Sequence, residues 1–467
     1  MNLTPQSLAP ANSAPPAPPA TAGGRVWRVG TLVYTGSSLA ALYAWLLWGD
    51  FAWQLKERTG PMVQVMLGKY QASDFLTAIF MISLPAIISM TVGPIVGYWS
   101  DRHRGPRGRR IPFLLATTPI AALALVGVGC GPLIGGWLHE YMAWAPESRY
   151  VTILSVMAAF WTLFEIATVT ANTVFGGLIN DVVPRELIGR FFGLFRVISL
   201  GVGILLYYFV MGYSKEYYMA ILVTVAAVYA LGFSMMCLKV KEGEYPPVEI
   251  EKGARRQGFF EAVKGFFRCC FADPYYLTVF GFMALAVTSF IPINLYMVFA
   301  AQSFGLSLDT YGKYMALMFA GSLLIAYPLG CLADRFHATR VGLTCLVCYA
   351  LATGSAFFFV QGPLSFGVML VAHGVLSACY NTGVSALGQM LFPKDKFGQF
   401  AAAATFLASL ASIIASPLVG LLLGWLGRDY RFTFGLSCLL ALFALLLGSL
   451  MYRQFRALGG PKNYEAP

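Results

Sequence analysis

The chain has 467 residues, of which 58% are hydrophobic and 11% charged, and its formal net charge is +11. A soluble protein needs about twice that fraction of charged residues. The composition therefore excludes a soluble protein and indicates an integral membrane protein. Most apolar runs exceed the roughly 20 residues that a helix needs to cross the hydrocarbon core, whereas barrel strands have about 10 residues of alternating polarity. Spanning helices are therefore predicted.

The first 24 residues are rich in Ala, Pro and Ser and carry no basic stretch before an apolar one. This composition predicts a disordered N-terminal tail (residues 1–24) rather than a signal peptide. Beyond the tail, twelve long apolar runs predict twelve transmembrane helices. They lie near residues 30–51, 74–99, 111–137, 150–180, 191–213, 217–240, 277–301, 311–332, 341–360, 364–392, 397–426 and 432–452.

A long polar segment divides these spans into two groups of six. We therefore predict an N-terminal six-helix bundle (25–240), a cytoplasmic linker (241–275), a C-terminal six-helix bundle (276–453) and a C-terminal tail (454–467). Within the linker, residues 257–271 place phenylalanines close to helical spacing among basic residues. This pattern indicates an amphipathic helix at the membrane surface, with a plain solvated loop as the alternative.

Most of the 32 lysines and arginines fall in the tails, the linker and alternate loops. The positive-inside rule assigns these segments to the cytoplasm, so both termini are predicted to be cytoplasmic. The net positive charge then follows from topology. It requires no nucleic acid as a partner, although it also favours anionic lipids of the bilayer.

An internal repeat supports two related halves. Residues of the fourth span recur in the tenth at one constant offset: Asn172-Thr173, Leu178, Pro184-Arg185-Glu186, Gly189 and Phe191 against Asn381-Thr382, Leu387, Pro393-Lys394-Asp395, Gly398 and Phe400. A shorter pattern, Gly97-x-x-x-Asp101-Arg102, recurs as Gly330-x-x-x-Asp334-Arg335. Parallel repeats with a substrate site between them, near the midplane, are a transporter arrangement.

The turn after the second span is strongly basic. It carries Arg102, Arg104, Arg107, Arg109 and Arg110 with a single carboxylate, Asp101. These arginines could merely fix the topology. However, Gly97-x-x-x-Asp101-Arg102 followed by Gly108-Arg109-Arg110 resembles the signature of the major facilitator superfamily. The resemblance implies a gating role for this turn, and for Gly330, Asp334 and Arg335 in the repeat.

Two details make the resemblance more specific. Five residues separate Arg102 from Gly108, and Ile111-Pro112-Phe113 follows Arg110. With these features the chain is similar to the plant sucrose-proton symporters and their animal relatives, within the glycoside-pentoside-hexuronide transporters. The resemblance implies the major facilitator fold, an all-α integral membrane protein with two six-helix bundles. It also implies a sugar or glycoside as the substrate and a proton as the coupling cation.

The resemblance further implies roles for residues of the fourth span. Glu165 stands at the position of that family's intramembrane carboxylate, Asn172 lies near its Asn, and Asp181 matches the Asp at the cytoplasmic end, for which we expect a gating role. The family's sugar-binding Arg is replaced here by Gly176. The seventh span also lacks the carboxylate of that family.

Glu165 lies about halfway along its span, where an ionised carboxylate costs roughly 3 kcal/mol by insertion scales. It should therefore face the bundle interior, as a proton-coupling and substrate-binding residue whose protonation depends on the side to which the cavity opens. A structural ion pair without a transport role is the alternative. Arg196 is its candidate partner, unless that side chain extends to the cytoplasmic surface.

Other candidates for substrate binding are polar or aromatic residues within spans. They are Asn172 and Asn381, which the repeat places in the two halves, Tyr380, Asp50 at the outer end of the first span, and Asn294 in the seventh. Amides and aromatic faces suit sugar hydroxyls and ring carbons, although membrane Asn residues also bond neighbouring helices. We predict that Asn172 and Asn381 both line a central cavity.

Together these observations predict a secondary active transporter, a proton-coupled symporter of a sugar or glycoside that works by alternating access as a monomer in the cell membrane. A carrier for another solute, such as a muropeptide, nucleoside or exported drug, is the first alternative. A membrane sensor or scaffold on the same fold is the second. The sequence carries no nucleophile elbow, phosphate loop or metal-binding helix, so neither an enzyme, a cofactor nor a metal site is predicted.

Overall fold

The computed structural model of the chain describes residues 26–245 and 259–467, so the predicted tail 1–24 lies outside it. The described chain opens with a β-hairpin, in which β1 (Trp27–Val29) pairs antiparallel with β2 (Leu32–Tyr34). Gly30, at φ +55°, forms the turn. The hairpin corrects the predicted start of the first span at residue 30, because helix begins only after Thr35, which caps it.

Eight helices form the N-terminal bundle. They are α1 (Gly36–Glu57), α2 (Gly60–Lys69), α3 (Asp74–Ala78), α4 (Leu84–Arg102), α5 (Ile111–Tyr141), α6 (Arg149–Val182), α7 (Ile188–Phe209) and α8 (Tyr218–Lys239). A π-helical turn, Ile79–Ser83, joins α3 to α4 in one continuous span.

The first span is longer than predicted and is broken. Pro61 lacks an N–H and its ring clashes with the carbonyl four residues earlier, so α1 ends at Glu57 and α2 resumes at Gly60. Thr59 stabilises the break, because its hydroxyl donates to the carbonyl of Lys56 (2.7 Å). The predicted end at residue 51 is therefore wrong, since helical structure continues to Lys69.

The remaining helices form a linker element and the C-terminal bundle. They are α9 (Phe259–Phe271), α10 (Pro274–Ser289), α11 (Ile291–Ser303), α12 (Leu308–Phe336), α13 (Ala338–Phe359), α14 (Pro363–Gly383), α15 (Leu387–Leu391), α16 (Phe397–Trp425), α17 (Arg431–Ala457) and the short α18 (Gly460–Asn463). Helix α9 occupies most of the segment that was predicted as amphipathic. Pro292 explains the break between α10 and α11.

Eleven helical segments of the described chain are long and apolar enough to cross a membrane. Helix α1, the predicted first of twelve spans, has 22 residues and is long enough, but it carries Asp50, Lys56 and Glu57. The predicted repeat is visible in the backbone. Pro184 (φ −57°, ψ 132°) and Pro393 (φ −58°, ψ 130°) each end a long span and start a short 3₁₀ turn. The chain is a multi-pass membrane protein.

The two bundles meet along two pairs of helices. Helix α7 packs on α12, and the span formed by α3 and α4 packs on α16. We call the end of the bundles that holds the turns 103–110, 183–187 and 393–396 the basic face. The other end, which holds the turns 70–73 and 426–430, is the opposite face.

Candidate functional site

A cavity of about 300 Å³ lies between the two bundles, in the middle of the structure. The N-terminal bundle supplies most of its wall and α11 of the C-terminal bundle supplies the rest. Its polar lining residues are Lys56, Glu57, Thr59, Gln64, Glu165, Thr168 and Asn294, and its apolar lining includes Met81, Trp161 and Phe164. The volume is at the lower end of the range for small-molecule pockets. The prediction that Glu165 faces the bundle interior is consistent with this position.

The charged neighbours of Glu165 are Lys56 and Glu57 at the end of α1. Lys56 is fully buried, and its Nζ lies 2.7 Å from Glu57 Oε1 and 3.4 Å from Thr168 Oγ1. The same Nζ lies 3.6 Å from the centre of the Trp53 ring, which stabilises the ammonium in a desolvated place. The predicted end of the first span at residue 51 left Lys56 outside that span, so it was not a candidate for the site.

The π-helical turn shapes the wall beside these residues. It turns Met81 and Ile82 toward the cavity, and Trp161 Nε1 donates to the carbonyl of Phe80 (3.1 Å). A π-helical turn within an α-helix is rare and is frequent at functional sites. Neither Met81 nor Trp161 was singled out from the sequence.

Asn294 is the polar contribution of the C-terminal bundle. It is exposed to the cavity, whereas Ile293 and Leu295 beside it are buried. Its Oδ1 lies 3.0 Å from Nε2 of His373, whose Nδ1 lies 3.1 Å from the hydroxyl of Tyr349. Both supporting side chains are fully buried. Asn294 is thus held in a fixed orientation at the cavity wall.

Gln64 completes the polar lining from α2. Its side chain is 7% exposed, and Oε1 is buried without a hydrogen-bond partner among the described residues. A buried acceptor without a hydrogen-bond partner lowers the stability of the folded chain. An unpaired acceptor at a cavity wall indicates that a ligand donor or water binds there.

Asp50 is not at the outer end of the first span, which corrects the prediction. Because α1 continues beyond it, Asp50 is fully buried within the bundle. Gln54 Nε2 donates to Asp50 Oδ1 (3.0 Å), and Gln54 Oε1 accepts from the Ser199 hydroxyl (3.1 Å). Arg58 then donates to the same hydroxyl (3.1 Å). These contacts join α1 to α7 outside the lining of the central cavity.

Two further candidates lie at positions that differ from the predicted ones. Arg196 is exposed on α7, and the structure places Lys56, rather than Arg196, beside Glu165. Tyr380 is buried in the core of the C-terminal bundle, with its ring near Phe290 (5.6 Å), so it does not line the cavity. We therefore withdraw both residues as contacts of Glu165 and of the solute.

The two repeat-related asparagines are both exposed. Asn172 lies one turn beyond Thr168 on the side of α6 that faces the cavity, toward the basic face. Asn381 lies at the end of α14, where its Nδ2 donates to the carbonyl of Ser377 (2.9 Å). Neither lines the 300 Å³ cavity itself, and their contact with a solute stays a prediction.

The signature residues at the basic face form an ion-pair network within the N-terminal bundle. Arg109 binds Asp181 through two hydrogen bonds (2.6 and 3.0 Å), and Arg110 lies between Asp181 (3.2 Å) and Asp101 (2.5 Å). Arg110 also donates to Ser100 (2.6 Å). The network ties the ends of α4 and α6 to the start of α5.

Glu242, which follows α8, closes this network and was not predicted. Its carboxylate accepts from the N–H groups of Arg109 (3.0 Å), Arg110 (2.8 Å) and Ile111 (2.7 Å), so it caps the N-terminus of α5. Tyr245 donates to Glu242 (2.9 Å) and to Asp181 (3.3 Å). Burial, and then the Glu242 carboxylate, raise the pKa of Tyr245 above its usual range, so this hydroxyl stays a donor.

Gly108 makes the cap possible. Its φ is +95°, and a Cβ at this position would lie 2.5 Å from Cδ of Glu242. We expect Gly108→Ala to displace Glu242 and to lower the free energy of unfolding by about 1–3 kcal/mol. Scanning fluorimetry in detergent would measure this change. Gly189→Ala is the matched control, because its Cβ would meet nothing within 4 Å; equal melting temperatures for the two variants would contradict the role of Gly108.

The other signature residues make simpler contacts. Gly97 faces α6, where a Cβ would make an ordinary van der Waals contact with Thr173 (3.6 Å). Arg102 stacks on Tyr98, with its guanidinium carbon 3.6 Å from the ring centre. In the repeat, Gly330 faces open space and Arg335 is exposed, while the side chain of Asp334 lies outside the described part of the structure.

A polar cluster at the opposite face joins the two bundles and was not predicted. Asp74, at the start of α3, is 4% exposed. Its Oδ1 accepts from the Tyr430 hydroxyl (3.1 Å), its Oδ2 lies 3.4 Å from Arg428 Nε, and its carbonyl accepts from the Tyr296 hydroxyl (2.8 Å). We call Asp74, Tyr296, Arg428 and Tyr430 the Asp74 cluster. It holds the bundles together on this side.

A second cavity, of about 610 Å³, adjoins the first on the side of the basic face. Met81 and Ile82 line both cavities, and the second one extends along α16 to Phe392 and Phe397. The second cavity therefore extends from a shared wall of the central cavity toward the basic face.

Comparison with known proteins agrees with this architecture. Residues 277–464 match the family model of the Major Facilitator Superfamily. The structure is similar to that of a bacterial homolog of the human lysosomal transporter Spinster, in an inward-facing and unoccupied conformation, with a TM-score of 0.64 and 14% identity over 92% of this chain and 98% of that one. This chain has the major facilitator fold. The predicted fold class is thus confirmed.

A D-xylose-proton symporter also shares the major facilitator fold, with a TM-score of 0.58 and 17% identity over 88% of this chain and 96% of that one. Among curated proteins, a quinolone resistance transporter of Acinetobacter baumannii is 32% identical over 120 residues, 26% of this chain and 27% of the relative. An uncharacterized MFS-type transporter, YfkF, of Bacillus subtilis (strain 168) is 27% identical over 192 residues, 40% and 43% of the two chains. The chain spans less than half the length of these curated relatives.

Proposed function

We propose that the chain is a proton-coupled carrier of a small organic solute and that it works by alternating access. The observation that carries this proposal is the placement of Glu165, Lys56 and Glu57 in a cavity between the bundles. Three ionisable groups in the interior of a membrane protein are costly, and they are typical of ion and proton pathways. A sensor or scaffold on the same fold would have no need of them.

The contacts between the bundles support an assignment of the conformation. The Asp74 cluster joins the bundles at the opposite face, while the second cavity extends toward the basic face. If the basic face is cytoplasmic, as the positive-inside rule predicts, these two features support an inward-facing state. Rocking of the bundles would then break the Asp74 cluster and close the basic face.

The substrate class predicted from the sequence is a sugar or glycoside, carried together with a proton. Asn294, Gln64 and the aromatic side chains of the cavity suit hydroxyl groups and ring carbons. A non-sugar solute is the second candidate, and one comparison favours it, because a quinolone resistance transporter is among the curated relatives.

The carrier proposal is tested with purified protein in lipid vesicles. A panel of labelled sugars, amines and drugs is offered under an imposed pH gradient, with and without a proton ionophore. We expect at least one solute to accumulate and the ionophore to abolish the accumulation. Vesicles that accumulate none of the panel, or that accumulate it equally with the ionophore, would contradict a proton-coupled carrier.

The signature network provides a test of gating. Asp101 is half exposed and binds Arg110 of its own bundle in this structure. We expect it to meet the other bundle when the basic face closes, so Asp101→Asn should lower the transport rate severalfold and favour the state seen here. Cysteine labelling from the basic face would detect this as increased access to the cavity. A normal rate with unchanged labelling would mean that Asp101 only helps to set the topology.

A further inference from the structure

The charges around the central cavity do not balance. Among the described residues that line it, the charged ones are Lys56, Glu57 and Glu165. The Lys56 ammonium is enclosed by Glu57, Thr168 and the Trp53 ring, with the Tyr229 ring 5.5 Å away. Within the described chain, no basic group forms an ion pair with Glu165. Lys56 attracts Glu165 as well as Glu57, but one ammonium offsets only one of the two carboxylates, which is unfavourable unless a cation or a proton joins them.

Gln64 adds an uncharged acceptor to these carboxylates. It lines the same cavity as Glu57 and Glu165, and its buried Oε1 has no hydrogen-bond partner among the described residues. Glu57 is 40% exposed, so its carboxylate stays accessible while it binds Lys56. The N-terminal wall therefore offers three acceptor groups. A primary ammonium group has three N–H donors and one positive charge, which matches this wall in both respects.

The C-terminal wall offers a hydrogen-bond donor, the amide nitrogen of Asn294. His373 Nε2 and Asn294 Oδ1 are hydrogen-bonded (3.0 Å), which leaves the amide nitrogen of Asn294 to donate into the cavity. That nitrogen suits a hydroxyl or carbonyl oxygen of a solute. Trp161 and Phe164 supply an apolar surface between the two walls.

From these observations we propose that the carried solute is a small protonated amine with an acceptor oxygen at its far end, an inference that rests on the proposed carrier function. Its ammonium group binds Glu165, Glu57 and Gln64, and its oxygen accepts from Asn294. A cavity of about 300 Å³ admits a molecule of about the size of an amino sugar or an amino alcohol. A neutral sugar, in contrast, would require a proton to neutralise Glu165.

The same arrangement determines how proton and solute are coupled. An ammonium group binds the ionised carboxylate of Glu165, whereas a proton occupies it when the solute is absent. The ammonium group of the solute and the proton therefore bind the Glu165 carboxylate in turn. This corresponds to exchange of a proton for the solute, in contrast to the symport that the sequence predicted.

The test compares amines with neutral molecules of the same size. Glucosamine and glucose, 4-aminobutanol and 1,4-butanediol, and phenethylamine and phenethyl alcohol are titrated into the purified full chain in detergent at pH 6, and binding is measured by calorimetry. We expect the amine of at least one pair to bind about tenfold or more tightly than its neutral partner. Its binding should also release protons, detected with a pH indicator in weak buffer.

Two variants and a control locate the effect. Glu165→Gln should remove the preference for the amine together with the proton release, and Glu57→Gln should weaken the preference. Glu140→Gln, at an exposed ion pair with Arg149 on the opposite face, should change neither. The comparison of amine with neutral partner in the unmodified chain does not depend on the folding of any variant.

The outcomes separate the amine proposal from the carrier proposal. If no pair shows a preference for the amine, or if a neutral sugar is carried without one, the amine proposal is overturned while the carrier stands. If an amine binds with proton release but is not moved across vesicles, the amine site is supported and the carrier is overturned.

Discussion

Replacing Glu165 by Gln should abolish accumulation of the carried solute in vesicles while it spares exchange of that solute across the membrane. Glutamine keeps the size of the side chain and its hydrogen-bonding atoms but cannot gain or lose a proton. With one proton per cycle, a gradient of one pH unit supports about tenfold accumulation. We expect a ratio close to one for the variant, because nothing then links solute movement to the proton gradient.

Two measurements in the same vesicles distinguish coupling from damage to the fold. Counterflow of labelled against unlabelled solute should persist in Glu165→Gln at solute concentrations that saturate the variant, because this exchange needs only the rocking of the loaded carrier. Glu140→Gln, which removes an exposed carboxylate on the opposite face, should accumulate solute normally. Accumulation by Glu165→Gln at the level of the unmodified protein would remove Glu165 from the coupling mechanism.

Replacing Asp74 by Ala should open the opposite face. The change removes the hydrogen bond from Tyr430 (3.1 Å) and the ion pair with Arg428 (3.4 Å) that join the bundles. Arg428 is about half exposed, so solvent screens the ion pair and the Tyr430 bond should dominate. A loss of about 1 kcal/mol shifts the ratio of the two conformations by about fivefold.

Electron spin resonance can follow this shift. Spin labels at Glu147 and Gln361, which are exposed in turns of the opposite face on the two bundles, should move farther apart in the variant. The labelled protein must lack its native cysteines, because Cys331 and Cys348 are exposed. Asp429→Ala is the matched control, since among the described residues the Asp429 carboxylate binds Arg431 of its own bundle (2.6 Å). An unchanged distance distribution in Asp74→Ala would show that the Asp74 cluster does not hold this face closed.

Sequence reasoning located part of the candidate site because the cost of a buried charge is visible in a long apolar run. Glu165 interrupts such a run, so its place at an interior cavity could be predicted. The resemblance assigned Arg109, Arg110 and Asp181 to gating, but the ion pairs that join them were not predicted. The repeat likewise predicted the matching turns at Pro184 and Pro393.

Other residues of the structure could not be assigned to their contacts from the sequence. Lys56 and Glu57 lie at a helix break, and in the sequence a polar break within a span looks the same as the end of a span. The neighbouring Gly60-Pro61 was the available signal, since Gly and Pro often interrupt helices at transporter sites. Asp74 begins a span, where a polar residue is usually only a cap. Glu242 lies more than a hundred residues beyond the helix that it caps, so no local pattern could pair them.

The cap that Glu242 places on α5 determines how the chain can be divided into independently made pieces. The last helix of the N-terminal bundle ends at Lys239, yet Glu242 and Tyr245 bind the start of α5 and Asp181. A fragment that stops at the end of that helix would leave three backbone N–H groups without their acceptor and Asp181 without its contact to Tyr245. Split forms of this protein, in which two polypeptides assemble in one membrane, should therefore be cut beyond Tyr245.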